Sequence, residues 1–138
     1  MKKNLFILII FIGISSCSKD DDNSIQSSQS IYGKWYYKET VIDNTNYPYD
    51  DHEPCGKDYI EFYDTNKIKG IDVWDCEEDI DWIGTFTILN NSLTISNGSE
   101  SRVAEIIELN STSLSYKYFF DENGDGINES YIEKFTRQ

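Results

Sequence analysis

Hydrophobic and polar residues alternate with a period of two through most of residues 31–138, and turn-forming residues break the alternation at intervals. In 31–41, Ile31, Trp35, Tyr37 and Val41 hold odd positions, while Lys34, Tyr36 and Lys38 hold even ones. Successive side chains of a strand point to opposite faces, so this pattern describes a strand with one face in a core. The same reading predicts strands at 58–63, 67–74, 80–89, 92–96, 102–109, 113–120 and 129–137. Thr65-Asn66, Asn90-Asn91 and Asn110 to Thr112 read as tight turns. Residues 43–57, which hold both prolines, read as a long loop. No stretch repeats at helical spacing.

Antiparallel strands joined in sequence must hide two sheet edges, and closing the meander on itself is the simplest way. The expected fold is all-β, an eight-stranded antiparallel up-and-down barrel, with a two-sheet sandwich as the rival. A meander that starts at one pole, end A, returns there with its eighth strand. End A then receives the short turns, and end B receives 43–57, 75–79, 97–101 and 121–128. Asp43, Asp50, Asp51, Glu53, Asp75, Glu77, Glu78, Asp79, Glu100, Asp121, Glu122 and Asp125 all fall at end B. Such a rim is either a solvated surface or a field that attracts cations and rejects anions. Tyr37, Phe62, Phe86, Tyr116, Tyr118 and Phe120 are the candidate lining of a ligand cavity inside the barrel. An eight-stranded barrel either just fills with side chains or holds one small ligand, and so many rings suit both outcomes.

The first thirty residues follow a different rule. Lys2 and Lys3 precede an apolar run from Leu5 to Ile14, too short to span a bilayer, which reads as a secretory signal over 1–16. Ser15, Ser16 and Cys17 resemble a bacterial lipobox, in which the cysteine is lipidated and becomes the mature N-terminus. A cleaved signal without lipidation is the alternative. Residues 17–30 are then a lipidated cysteine and an acidic linker too polar to bury anything. Ser18, Lys19 and Asp20 to Asp22 resemble the acidic tag that sends some Gram-negative lipoproteins to the outer face of the outer membrane. The expected location is therefore the cell surface, tethered to the outer membrane by lipid.

Removing residues 1–16 takes away two of the 12 bases and none of the 25 acids, leaving ten against 25 and a formal charge of −15. That field repels phosphate backbones, so nucleic-acid binding is excluded. With Cys17 committed to lipid, Cys55 and Cys76 remain in an exported, oxidising setting, where a disulfide is the natural reading. In a hairpin closed by two residues at 65–66, facing positions sum to 131, as Cys55 and Cys76 do; the same register sets Ile60 against Ile71.

Residues 121–129, DENGDGINE, resemble a calcium loop, with Asp121, Asn123, Asp125, the Ile127 carbonyl and Glu129 as candidate ligands and Gly126 at the bend. Position 12 of that pattern is Ile132 rather than a bidentate glutamate, and the flanks read as strands. A polar hairpin loop is the other reading. No cofactor other than calcium is suggested. One histidine, two paired cysteines and no serine beside an evident base leave no catalytic set, so an enzyme is not expected.

Gly33-Lys34-Trp35 on the first of eight strands resembles the lipocalins. The blocks CGKDYIEF, GTFTILNNSLTIS and IIELNSTSLSYKY extend the likeness to small bacterial lipocalin-like lipoproteins over 31–138. The resemblance implies that Trp35, with Gly33 beside it, packs at the closed barrel end beneath a late arginine, here Arg137. It also implies that the loop after strand one is a lid. The expected function is capture of a small apolar or amphipathic ligand through end B by a monomer. The alternative is a solid interaction module that meets a protein or glycan through its loops.

Overall fold

A computed structural model describes residues 30–98 and 100–138. The signal segment, Cys17 and most of the linker lie outside the described residues. The strands are β1 (Gly33–Ile42), β2 (Thr45–Pro48), β3 (Tyr59–Tyr63), β4 (Lys67–Trp74), β5 (Glu77–Leu89), β6 (Ser92–Asn97), β7 (Glu100–Leu109), β8 (Ser113–Phe120) and β9 (Glu129–Thr136). They form one antiparallel sheet in which β9 returns to pair with β1. Eight strands make the wall of a closed barrel. The ninth, β2, is a short ribbon beside the second half of β1. All four of its residues are exposed.

β1 is bonded on both edges. Gly33 to Tyr36 face β3, and Tyr36 to Ile42 face β9, with a bulge at Lys38. Beyond that bulge the odd–even rule inverts, so Thr40 and Ile42 continue the inward row begun by Trp35 and Tyr37. Directly opposed charges fix the register on the outer face: Glu39 meets Lys134 at 2.8 Å and Glu61 meets Lys69 at 2.8 Å.

The lower half of the barrel is solid. Trp35, Phe62, Ile68, Phe86, Leu93, Ile106, Leu114 and Phe135 are all buried in one cluster. At its floor the Arg137 guanidinium lies 4.1 Å from the Trp35 ring, and its Nη2 donates to the carbonyls of Ser30 and Tyr32 at 2.7 and 2.8 Å. The Trp35 indole N–H donates to the Ile31 carbonyl at 2.6 Å. A cation over an indole contributes about 0.5–2 kcal/mol, more as water is excluded. These contacts pull the chain entering the barrel under the strand that leaves it. Gly33 sits at φ +114°, a conformation that favours glycine, with Arg137 close by.

Three sequence expectations are corrected. The β3–β4 hairpin turns through three residues, Asp64 to Asn66, with Asp64 and Asn66 in the left-handed region, so facing positions sum to 130 rather than 131. Ile60 therefore faces Gly70, and Ile71 faces Tyr59. Ile71 and Val73 point outward into a small satellite cluster with Tyr59 and Tyr36. The second correction is β2, a strand inside the expected loop 43–57, turned back on β1 by Asp43 and Asn44, both at positive φ. Third, 75–79 is not a loop: Asp75-Cys76 alone form the turn, both left-handed, and β5 starts at Glu77.

The disulfide is present, with Cα atoms of Cys55 and Cys76 5.6 Å apart. It does not arise from the strand register, since Cys55 lies in the loop before β3. It ties that loop to the β4–β5 turn.

One close approach shapes the barrel interior. Gly70 of β4 faces Trp82 of β5, and a Cβ at Gly70 would sit 2.2 Å from the Trp82 indole nitrogen. The missing side chain is the space the indole occupies. Gly70→Val is expected to displace Trp82 and destabilise the fold by about 1–3 kcal/mol, the usual range for overpacking. Denaturant melts and tryptophan emission read this; an unchanged midpoint with unchanged emission would disprove the packing.

Candidate functional site

Above the packed half, the inward rows change character toward end B. On β1 the row runs Trp35, Tyr37, Thr40. On β9 it runs Phe135, Glu133, Tyr131, and on β4 Ile68, Gly70, Asp72. Two open basins occupy this upper half. One, of about 800 Å³, is lined by Tyr37, Tyr49, Asp58, Asp72, Asp81 and Glu133 among others. The other, of about 630 Å³, is lined by Tyr37, Trp82, Arg102, Tyr116, Tyr118 and Phe120 among others. Tyr37 and Glu133 belong to both, so the basins adjoin.

The wall of the first basin is a stapled loop. The Tyr49 ring stacks on Tyr37 at 4.9 Å, and His52 packs on Tyr49 at 4.8 Å. Asp58, only 3 % exposed, accepts the Tyr49 hydroxyl proton and the Val73 N–H at 2.7 Å. The Asp58 N–H donates to His52 Nδ1 at 3.1 Å, and His52 Nε2 lies 2.8 Å from the Tyr37 carbonyl. A backbone amide can only donate and a carbonyl can only accept. His52 is therefore held as the neutral tautomer with its proton on Nε2. Both ring nitrogens are engaged with the backbone.

Glu133 accepts from Thr40 Oγ1 at 2.8 Å and from the Tyr118 hydroxyl at 3.0 Å. The Arg102 guanidinium lies 4.4 Å from the Tyr118 ring and 5.2 Å from Phe120 at the outer rim of the second basin. Burial, then the negative charge of Glu133, pushes the Tyr37 hydroxyl well above its ordinary range. Tyr118 is raised by the same two causes. Tyr116 is raised chiefly by burial and then by Tyr37.

The candidate cavity residues divide. Tyr37, Tyr116, Tyr118 and Phe120 line the basins. Phe62 and Phe86 line neither; they are stacked edge-to-face at 4.9 Å in the solid lower half. Simple alternation marks a side chain as inward without giving its height along the barrel. Sequence reading missed Trp82, Arg102, Asp81 and Glu133. For Asp81 the reason is a bulge between Gly70 and Ile71 of β4 against β5, which shifts the rule locally.

The candidate calcium loop 121–129 is a compact turn folded on its own side chains. Among the described residues no three acidic, histidine or cysteine side chains form a metal-binding group. The oxygens of loop 121–129 serve its own backbone: Asp121 accepts from the amides of Gly124, Asp125 and Gly126, Asn123 from Asp125, and Asp125 from Ile127. Glu129 bonds to the Glu122 amide and the Asn123 side chain. The loop is a nest of side-chain-to-backbone turns.

A family model described as a lipocalin-like domain matches residues 31–116. The structure resembles the crystal structure of an uncharacterized protein from Bacteroides eggerthii, at 10 % identity and a TM-score of 0.55, over 78 % of this chain and 98 % of the other. It also resembles apocrustacyanin C1, at 21 % identity and a TM-score of 0.50, over 78 % of this chain and 60 % of that one. At such identities the likeness is one of fold. No curated protein sequence matches the chain.

The buried hydroxyls predict an alkaline signature. A tyrosine whose folded pKa lies above the unfolded value of about 10 stays neutral while the unfolded chain ionises. Its stabilising contribution is complete below pH 10 and is lost as pH climbs toward the folded value. Each of Tyr37 and Tyr116 should steepen the loss by about 1.4 kcal/mol per pH unit. Denaturant melts taken above pH 10 should fall steeply, and Tyr116→Phe should remove about one proton's worth of slope. A slope identical to wild type would disprove the burial of that hydroxyl.

Proposed function

Because the chain belongs to the lipocalin-like domain family, we propose that it is a binding protein that takes a small apolar or amphipathic molecule into the upper half of its barrel through end B. The observation that carries this reading is the division of the lumen. Its lower half is filled with side chains, while its upper half holds two adjoining basins lined by Tyr37, Trp82, Tyr116 and Tyr118. Their volumes fall in the range usual for small-molecule sites. A solid interaction module requires a filled barrel, so the basins weigh against that alternative. Binding rather than catalysis also suits His52, whose nitrogens are already committed.

The reading extends to location. Cys17 carries lipid, and residues 18–30 are the tether that leads to Ser30. Ser30 is held beneath Arg137 at end A. The mouth at end B then faces away from the outer membrane, toward the surroundings from which a ligand is captured.

Two measurements test these statements separately. The uncharged dye N-phenyl-1-naphthylamine should gain fluorescence with the full-length protein, and Tyr116→Trp should weaken binding several-fold by filling the second basin, roughly the effect of 1 kcal/mol or more. A dye signal absent from wild type, or indifferent to filling, would dismiss the cavity. Cys17→Ala should move the protein from the membrane to the soluble fraction and abolish labelling by a fatty-acid analogue. Unchanged fractionation would remove the anchor and leave the binding reading intact.

A further inference from the structure

Resting on the lipid anchor read at Cys17, we propose that end A is a membrane-facing surface. Tyr32, Ile88 and Leu89 seat in the interfacial layer of an anionic bilayer, so the barrel stands on the membrane with its mouth outward.

The first observation is apolar area at this pole. Leu89 closes β5 at the Asn90-Asn91 turn and is 75 % exposed, the highest value of any large hydrophobic residue among those described. Ile88, the next inward residue after Phe86 on β5, is exposed below the packed floor. Tyr32 is exposed as well, and its ring meets Phe86 edge-on at 5.7 Å. Tyr32 belongs to the segment that enters the barrel, and its carbonyl accepts from Arg137. These side chains therefore gather where the chain from Cys17 arrives, and burial in the fold does not account for them.

The second observation is charge. The acids nearest end A are already answered: Glu61 by Lys69 at 2.8 Å, Asp64 by Lys67 at 3.1 Å and Glu108 by the Asn110 side-chain amide at 2.8 Å. Arg137 takes part in no ion pair among the described residues, and its Nε is the one buried side-chain nitrogen or oxygen there without a partner. The pole thus offers phosphate headgroups a cation without a counter-charge and no unanswered carboxylate nearby. End B carries the opposite field. Trp74, Phe119 and Phe120 are exposed there too, but they stand at the rim that holds Asp50, Asp51, Asp75, Glu77 and Glu122. An anionic surface repels that rim, so it turns end A inward.

A tether of residues 18–30 alone would let the barrel drift up to about 45 Å from the surface. It also makes docking an intramolecular step, with an effective concentration of roughly millimolar order. Moving one leucine out of water is worth about tenfold in partition. A small patch therefore suffices once lipid holds the chain nearby.

Leu89→Cys and, as a control on the outer wall toward end B, Val103→Cys each give the full-length protein one free thiol, because Cys55 and Cys76 are bridged. Each is labelled with the environment-sensitive nitrobenzoxadiazole dye and reconstituted into phosphatidylethanolamine–phosphatidylglycerol vesicles. The probe at 89 should shift to the blue and be quenched by nitroxide-bearing lipid several-fold more strongly than the probe at 103. Equal quenching at both positions, or stronger quenching at 103, would overturn the membrane face. A probe at 89 already shielded before vesicles are added would assign the patch to the chain's own linker and overturn it equally. Flotation of the vesicles reads the anchor separately. Protein that floats with both probes in water loses the face and keeps the anchor, whereas protein that does not float loses both.

Discussion

The structure depends on β1 being hydrogen-bonded along both edges. Its first half pairs with β3 and its second half with β9, and the Lys38 bulge marks the change. If the β1–β9 ladder opened, two edges would be exposed and the lumen would meet water along its side rather than at one pole. The floor contacts reinforce the closure where the chain's two ends approach. Arg137 leaves β9 and reaches under Trp35 to the carbonyls of Ser30 and Tyr32. One side chain thereby joins the last strand, the first strand and the segment that precedes it.

Closure also converts a linear alternation into a vertical gradient. Because neighbouring strands run antiparallel, each inward row crosses the same levels, and the levels differ in chemistry. Trp35, Phe62, Leu93, Leu114 and Phe135 make a dry floor. Tyr37, Tyr116 and Tyr118 follow, with apolar bodies and polar tips. Asp72, Asp81 and Glu133 come last. The lumen therefore grades from a charged zone at end B, through an aromatic one, to a packed floor.

Much of this was legible in the chain. Alternation located the walls, and the meander argument placed Trp35 and Arg137 at one pole and the acids at the other. What escaped has a common cause: backbone details that shift the period by one. The turn Asp64 to Asn66 uses three residues where two would also fit, and the coincidence of Cys55 with Cys76 endorsed the wrong choice, because loop residues obey no register. Asp75-Cys76 went unread as a turn because cysteine seldom takes a left-handed conformation and the acids after it look like loop. Pro48 hid β2, since proline is tolerated only on an edge, which is where β2 lies. Height along the barrel, which separates Phe62 and Phe86 from Tyr116 and Tyr118, depends on strand offset and is invisible to alternation.

The acid rim poses a physical problem that the remaining features answer. Carboxylates that repel one another favour a loosened mouth, and the Asp72 carboxyl is raised first by loss of solvent and then by the charges of Asp58, Asp81, Asp79 and Asp51. The fastenings lie at the same end of the barrel. The Cys55–Cys76 bridge ties the loop to the β4–β5 turn, and Asp58 holds both Tyr49 and the Val73 amide. His52 fastens the same loop to β1 through backbone groups alone, so this clasp adds no charge. The scaffold thus keeps uncompensated negative charge in a fixed geometry instead of relieving it by movement. Carboxylates held in a fixed geometry need little rearrangement to meet a counter-charge.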